Sequence, residues 1–280
     1  MELCLNQATT MPYPLSDTIR AAKAAGIDTI GLWVEPVEEA GVDVVRTWLS
    51  DSGMRATSMS RVGFLANKRG QELLAAQDAV RRALDMCAAL AVPTLSFVAG
   101  GLPADDRSLR AAEARVRETL ELLQPEVAAS GVQLMLEPIH PLFVNDRSIV
   151  TSVGQALRVV EGLPATQYGV LVDSWATFWD PDLEQSVRRA GAEERLAGYQ
   201  VNDFALPLPF PNNMNGRLMP GDGVIDLASM TNWILDAGFA GPIEVEVFND
   251  EIWALPLDEI LWRTVDSFNR NSTSEIQSSM

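Results

Sequence analysis

The run from Val132 to Glu137, Val-Gln-Leu-Met-Leu-Glu, decides the fold prediction for this chain. It is apolar at nearly every position instead of alternating, which is typical of a strand covered on both faces, as in a parallel sheet. Similar short runs recur along the chain, and each is followed by a longer amphipathic or alanine-rich segment. There are eight runs in all, at residues 3–7, 28–34, 55–59, 94–98, 132–137, 169–173, 198–202 and 243–248. This rhythm predicts repeated strand–helix units.

The segments between the runs have helical patterns. In the clearest one, Leu109, Ala112, Val116, Leu120 and Leu123 fall on one stripe, and the positions between them carry charges that would face water. We predict an amphipathic helix there. Several such segments end in a glycine just before the next strand, which predicts left-handed helix C-caps at Gly26, Gly53, Gly131 and Gly238.

The number of these units fits a closed barrel. Eight strands and eight helices in 280 residues suit one α/β domain, a (β/α)8 TIM barrel. An open doubly wound sheet would more often have a glycine-rich phosphate loop after its first strand, and no such loop follows residues 3–7. We therefore expect a single barrel domain over residues 1–268 and a flexible C-terminal tail, rich in Ser, Asn and Thr, over residues 269–280.

The amino-acid composition limits the kinds of molecule that this protein is expected to bind. Lys+Arg number 21 against 38 Asp+Glu, and the formal net charge of −17 would repel nucleic-acid phosphates and anionic lipid headgroups. The two cysteines, Cys4 and Cys87, are too few for a disulfide framework and are expected to be reduced and buried. No secretory signal or long apolar span is visible. We expect a cytoplasmic protein that acts on a small molecule, with a homo-oligomer left open.

Acidic residues close several of the predicted strands, at the end of the barrel where active sites lie. The polar residues at the ends of the fifth to eighth runs are Glu137, Asp173, Gln200, Asp203, Glu244 and Glu246. Residues two apart on a strand share a face, so Glu244 and Glu246 should point the same way. Buried carboxylates that converge need a positive partner, and oxygen donors suit a hard divalent ion such as Mn²⁺ or Mg²⁺.

Two further groups of residues fall on the same face of the predicted barrel. His140, the only histidine, directly follows the fifth run and is equally suited to proton transfer and to packing. Residues 215–223 form a long predicted loop before the helix N-cap Asp226, and Arg217 in this loop is suited to hold an anionic or hydroxyl-rich substrate. Four aromatic residues either stack on a sugar at the barrel mouth or belong to the core: Trp33, Trp175, Phe178 and Trp179.

Four sequence blocks together resemble the sugar phosphate isomerase/epimerase group of the xylose isomerase-like TIM barrels. They are Leu-Glu-Pro-Ile-His-Pro at 136–141, Val-Asp-Ser-Trp-Ala-Thr-Phe-Trp-Asp-Pro at 172–181, Arg-Leu-Met-Pro-Gly-Asp-Gly-Val-Ile-Asp at 217–226 and Glu-Val-Glu-Val-Phe-Asn at 244–249. The resemblance extends from the first strand to about Trp262. It implies a divalent metal ion, with Mn²⁺ favoured and Mg²⁺, Co²⁺ and Zn²⁺ as alternatives.

The resemblance also implies roles for individual residues. The implied metal ligands are Glu137, Asp173, Gln200 and Glu246. The implied proton carriers are Glu137, Glu246 and His140. The expected substrate contacts are Arg217 and His140, to which we add Asp203 and Trp175.

Two positions depart from the group. The ligand on the seventh strand is most often His and is Gln200 here, and a His that commonly lies three residues after Asp173 is replaced by Ala176. The implied activity is isomerisation or epimerisation of a sugar or keto-sugar through an enediolate. A lyase, either a dehydratase or an enzyme that eliminates an aglycone from a 3-oxo-glycoside, and a non-catalytic sugar-binding relative both stay open. The endonuclease branch of the fold is excluded, because it needs a histidine cluster and a basic face.

Overall fold

The chain is described from a computed structural model that covers residues 1–106, 108–209 and 214–277, with only the backbone described for 272–277. The strands within these residues are β1 (Leu3–Asn6), β2 (Thr29–Trp33), β3 (Arg55–Gly63), β4 (Thr94–Val98), β5 (Gln133–Glu137), β6 (Tyr168–Asp173), β7 (Leu196–Val201), β8 (Asp203–Phe204), β9 (Arg217–Leu218) and β10 (Ile243–Val245).

Eight of these strands close into a barrel, in the order β1-β10-β7-β6-β5-β4-β3-β2. β1 pairs in parallel with both β2 and β10, so the first and last barrel strands are neighbours. The register places Gln200 of β7 between Asp173 of β6 and Glu244 of β10. β8 and β9 form a separate antiparallel pair. The closed sheet confirms the predicted (β/α)8 barrel.

Helices follow most of the barrel strands. They are α1 (Leu15–Ala24), α2 (Val34–Ala40), α3 (Val42–Ser52), α4 (Gly70–Leu90), α5 (Leu109–Leu122), α6 (Gln124–Ser130), α7 (Val153–Val160), α8 (Ser174–Thr177), α9 (Leu183–Ala192), α10 (Leu227–Asp236), α11 (Asp250–Trp253) and α12 (Leu257–Gln277), with 3-10 turns at Gln7–Thr10 and Pro141–Phe143. Among the helices described, none combines the length and the apolar run that crossing a membrane requires.

The predicted helix signals are confirmed with one exception. Helix α5 buries Ala112, Val116 and Leu120, but Leu109, in its first turn, is 47% exposed. All four predicted cap glycines have positive φ, and Gly53 and Gly131 end α3 and α6 in the left-handed conformation. The Asp226 carboxylate accepts a hydrogen bond from Ser229 N and caps α10. Cys4 and Cys87 are buried and free, as predicted.

The largest differences from the predicted boundaries are at the ends of two strands. β3 continues to Gly63 because Val62 and Gly63 still pair with β4 beyond an irregularity after Met59. β10 ends at Val245, earlier than predicted, because Val247 N donates to the Thr9 hydroxyl. At the C-terminus, helix α12 runs to Gln277, through most of the segment expected to be a tail. Residues 278–280 lie outside the described part of the chain.

Candidate active site

A cavity of about 320 Å³ opens at the carboxyl ends of the barrel strands. Glu137 and Glu246, two of the predicted acids, line it together with Arg217. Much of the remaining wall is aromatic and consists of Trp33, Phe64, Phe248 and Trp253. The cavity therefore combines acid–base groups with flat apolar surfaces, a combination that suits a small polar ring.

Glu137 and Glu246 enter the cavity from different strands. Glu137 is the last residue of β5, and its Oε2 accepts a hydrogen bond from Ser96 Oγ on β4 at 2.5 Å. Glu246 directly follows β10, and its Oε2 accepts from Arg217 Nη1 at 2.6 Å. Both side chains are more than nine-tenths buried, with 7% and 4% exposure. The barrel thus holds two carboxyl groups at fixed positions beside the same space.

Burial raises the pKa values of both carboxyl groups into the neutral pH range. It raises the pKa of Glu137 to about 7, and repulsion from the Asp173 carboxylate adds to the shift. Burial likewise raises the pKa of Glu246 to about 8; the Arg217 guanidinium opposes this shift, and Glu137 and Asp173 reinforce it. Both groups can therefore take up and release a proton near neutral pH.

Arg217 is positioned by the short antiparallel pair. It lies on β9 opposite Phe204 of β8, and Asn249 Nδ2 donates to its carbonyl oxygen at 2.9 Å. Its Nη1 donates to Asp173 Oδ2 at 2.9 Å as well as to Glu246. The guanidinium carbon lies 4.8 Å from the centroid of the Phe248 ring. Arg217 is 4% exposed, so its charge compensates these carboxylates away from solvent.

A second polar layer lies deeper in the barrel, around Glu244. Its carboxylate accepts from Asn6 Nδ2 at 2.7 Å, from Ser58 Oγ at 2.9 Å and from Gln200 Nε2 at 3.4 Å. Glu244 also fills the space beside Gly31, where an added Cβ would lie 1.6 Å from Glu244 Oε1. Glu244 and Glu246 point the same way, as predicted, and the structure shows that this direction is into the barrel. Only Glu246 lines the cavity.

The residues present suit a hard divalent ion by their chemistry. Glu137, Asp173 and Glu246 are buried carboxylates, and Gln200 Oε1 is a buried oxygen without a hydrogen-bond partner among the described residues. The Arg217 guanidinium, however, bonds two of these carboxylates. As they stand, no three His, Cys, Asp or Glu side chains in the described ranges form a cluster that could hold an ion. An ion held by this donor set would therefore displace Arg217 from Asp173 and Glu246.

His140 and Trp175 lie beside the cavity and do not line it. The His140 ring is 5.0 Å from Trp175 and 5.9 Å from Phe204 between ring centroids, and its Nδ1 accepts from Leu142 N. Burial lowers the pKa of His140 to about 4, so the imidazole is neutral at physiological pH. Trp175 is 1% exposed and stacks under Arg217, 5.5 Å from its guanidinium carbon. Both residues pack in an aromatic cluster that supports Arg217, instead of contacting the cavity as expected.

Asp203 has a different place from the one we expected. It is fully buried, and its oxygens accept hydrogen bonds from four backbone N–H groups, those of Phe204, Gly221, Gly223 and Ile225. These bonds hold the loop after Arg217 and leave the carboxylate without a free oxygen for a substrate. Asp203 is therefore a loop-organising residue.

The sequence reasoning missed two charged residues of the cavity wall. Arg61 lies on β3, beyond the predicted end of that strand, and Arg147 lies in the loop after β5. If the third strand had been predicted to continue beyond Met59, Arg61 would have been placed at the barrel mouth. No signal in the sequence around Arg147 identifies it.

Comparisons with known proteins agree with this architecture. Residues 19–269 match the family model described as xylose isomerase-like TIM barrel. The solved structure of protein SMc04130 from Sinorhizobium meliloti 1021 is 33% identical, with a TM-score of 0.91 over 96% of this chain and 97% of that one. A structure of IolI protein with a bound zinc atom is 19% identical, with a TM-score of 0.82 over 98% and 99%.

A curated relative covers nearly the same span. Inosose isomerase from Halalkalibacterium halodurans is 22% identical over 279 residues, 95% of each chain. The closed barrel, the acids at its strand ends and the match over residues 19–269 together show that the chain belongs to the xylose isomerase-like TIM barrel family.

Proposed function

We propose that the protein is an isomerase or epimerase of sugar-like hydroxy-ketones, with Glu137 and Glu246 as proton carriers. One observation carries the proposal: two buried carboxyl groups, Glu137 at the end of β5 and Glu246 after β10, line the same cavity. The family and the inosose isomerase relative support this class of reaction. His140 is left out of the proton transfer, because its ring does not line the cavity.

One carboxyl group can act as the general base while the other acts as the general acid. Near neutral pH, repulsion between them favours a state in which one is ionised and the other keeps its proton. The ionised group removes the proton from the carbon next to the substrate carbonyl, which gives an enediolate. Return of a proton to the opposite face of that carbon gives an epimer, and return to the neighbouring carbon shifts the carbonyl.

We further propose that Glu137, Asp173, Gln200 and Glu246 hold a divalent ion, with Mn²⁺ favoured. When bound, the ion would supply Lewis-acid stabilisation for negative charge on the substrate oxygens. The unpartnered Gln200 Oε1 and the surplus of carboxylates over the single Arg217 support this assignment, and so does the zinc in the IolI structure. Elemental analysis of chelator-stripped protein dialysed against Mn²⁺, Mg²⁺, Co²⁺ or Zn²⁺ should find about one ion per chain. No retained ion would contradict the metal site.

The proton-transfer proposal is tested by solvent-deuterium uptake. Keto-sugars incubated with the protein in D₂O should gain deuterium next to the carbonyl, as followed by NMR. Glu137→Gln and Glu246→Gln should each slow the exchange by about 10²- to 10⁴-fold. Glu244→Gln is the matched control, because Glu244 is equally buried but lies outside the cavity; its exchange should stay within about tenfold of wild type. Full exchange in Glu246→Gln would refute the assignment.

A second candidate function is β-elimination from the same enolate. The aromatic wall formed by Trp33, Phe64, Phe248 and Trp253 is its support, because such a wall suits the ring of an aglycone. Incubation with 3-oxo-glycosides distinguishes the two reactions. Release of the aglycone would favour the lyase, and exchange without release would favour the isomerase or epimerase.

A further inference from the structure

Two arginines at the cavity wall have no acidic partner in the part of the chain that the structure describes. The chain has 21 Lys+Arg against 38 Asp+Glu, and many of the arginines in the described part form ion pairs. Arg61 and Arg147 both line the cavity, yet neither guanidinium makes an ion pair or a hydrogen bond within the described residues. In so acidic a protein, two unpaired cations on one cavity wall are an unusual arrangement.

Aromatic rings hold Arg61 in place. Its guanidinium carbon lies 4.6 Å from the centroid of the Trp33 ring and 5.4 Å from that of Phe64. Its Nε is buried and has no partner among the described atoms. Stacking fixes the plane of a guanidinium and leaves the N–H groups at its edge free to donate. Arg61 is therefore oriented by apolar contacts while its hydrogen-bonding capacity stays unused.

Arg147 lies close enough to Arg61 for the two charges to repel each other. Burial lowers the pKa of Arg147, and repulsion from Arg61 lowers it further; attraction from Asp146 opposes this shift, and a smaller repulsion from Arg217 adds to it. Acidic side chains such as Glu35, Glu38 and Asp146 line an adjoining groove, but none of them pairs with Arg61 or Arg147 in the described structure. A bound anion would relieve this repulsion and occupy the free N–H groups.

We infer that the cavity binds a hydroxy-ketone that carries an anionic group, and that Arg61 and Arg147 hold this group, a carboxylate or a phosphate. The inference rests on the proposed function, which places the reacting carbons beside Glu137 and Glu246. The volume of about 320 Å³ suits one sugar-sized molecule that extends from these carboxyl groups to the two arginines. Guanidinium groups match the paired oxygens of carboxylates and phosphates, so the arginines would select an anion over a neutral sugar.

Binding to matched anionic and neutral ketoses tests the inference. Calorimetric titration of the full chain would compare D-fructose 6-phosphate and 5-keto-D-gluconate with D-fructose. At least one of the two anions should bind about 10- to 100-fold more tightly than D-fructose, because only an anion can accept charge-assisted hydrogen bonds from the two guanidinium groups at full strength. The tighter of the two identifies the anionic group as phosphate or carboxylate. Equal affinity for all three, or no binding of either anion, would overturn the inference.

Variants assign the effect to the two arginines. Arg61→Met and Arg147→Met should each weaken the binding of the anion by about tenfold or more, and should weaken the binding of D-fructose much less. Arg61→Lys, which keeps the charge but loses the fork, should weaken it less. Arg158→Met is the matched control, because Arg158 is exposed and its guanidinium donates only to the Gly154 carbonyl among the described residues; it should bind like wild type. Equal weakening of the neutral and anionic ketoses would overturn the assignment.

The outcome is separable from that of the proposed function. Deuterium exchange into neutral keto-sugars without any preference for the anions would overturn this inference and keep the proposed function. Anion binding that depends on Arg61 and Arg147, together with exchange that does not depend on Glu246, would keep this inference and overturn the proposed function.

Discussion

Removal of the Arg217 guanidinium should destabilise the metal-free protein in a pH-dependent way. In Arg217→Met, Asp173 and Glu246 lose bonds of 2.9 and 2.6 Å at a place where all three side chains are more than nine-tenths buried. Breaking a buried ion pair by removing one partner costs about 3–5 kcal/mol. We expect a loss of this size at pH 9. A smaller loss is expected at pH 5, because Glu246, whose pKa is raised to about 8, is then protonated in the folded state.

Urea unfolding in the presence of a chelator measures this effect. Arg195→Met is the matched control, because Arg195 is also buried but donates mainly to the carbonyl oxygens of Tyr168 and Leu163. Its loss of stability should be nearly the same at pH 5 and pH 9. Equal losses at both pH values for Arg217→Met, or no loss at pH 9, would refute the compensation of these carboxylates by Arg217.

Metal addition extends the same experiment. If the carboxylates released by Arg217→Met form the proposed ion site, Mn²⁺ at a hundredfold excess over its dissociation constant should restore about 2.7 kcal/mol. The variant should also bind Mn²⁺ more tightly than wild type does, because the guanidinium no longer competes. Tighter binding by the wild type would contradict the idea that Arg217 and the ion share the same carboxylates.

Three further outcomes are expected. Chelator-treated protein should lose stability as the pH rises from about 4.5 to about 8, because the folded state holds the protons of Glu137 and Glu246 that the unfolded chain releases; urea midpoints independent of pH would contradict this. Asp203→Asn should lower the free energy of unfolding by about 3 kcal/mol, because its amide N–H₂ would face backbone donors, whereas the cap variant Asp226→Asn should change it little. His140→Phe should keep deuterium exchange within about tenfold of wild type, since the ring packs against aromatic neighbours; a much larger drop, in the range of about 10²- to 10⁴-fold expected for a proton carrier, would return the proton-transfer role to His140.

The barrel and its acidic end could be predicted because both depend on local sequence. A continuous apolar run indicates a strand buried on both faces, and the residue that ends it lies at the catalytic end of a barrel. Glu137 and Asp173 end β5 and β6, and Glu246 immediately follows β10. The alternation of side chains along a strand was also sufficient to place Glu244 and Glu246 on the same face.

The partners of the polar side chains could not be predicted, because they depend on contacts between distant segments. Asp203 lies two residues after the end of β7, close to the strand ends that carry the other acids, but its neighbour Phe204 and the returning loop supply it with four backbone donors. The pairing of β8 with β9 directs Arg217 to Asp173 and Glu246. No local sequence pattern indicates this pairing. Arg61 follows a polar residue that interrupts the apolar run, although the backbone of β3 continues to pair.

The contact between Gly31 and Glu244 limits how the sequence of this protein can drift over evolution. A side chain at position 31 would overlap the Glu244 carboxylate. Gly31 can therefore be replaced by a larger residue only after Glu244 has been replaced by a smaller one. The two positions should therefore change together among descendants of this chain. A relative with a larger residue at position 31 should have lost the inner carboxylate, and with it the hydrogen bond from Asn6 that links the first and last barrel strands.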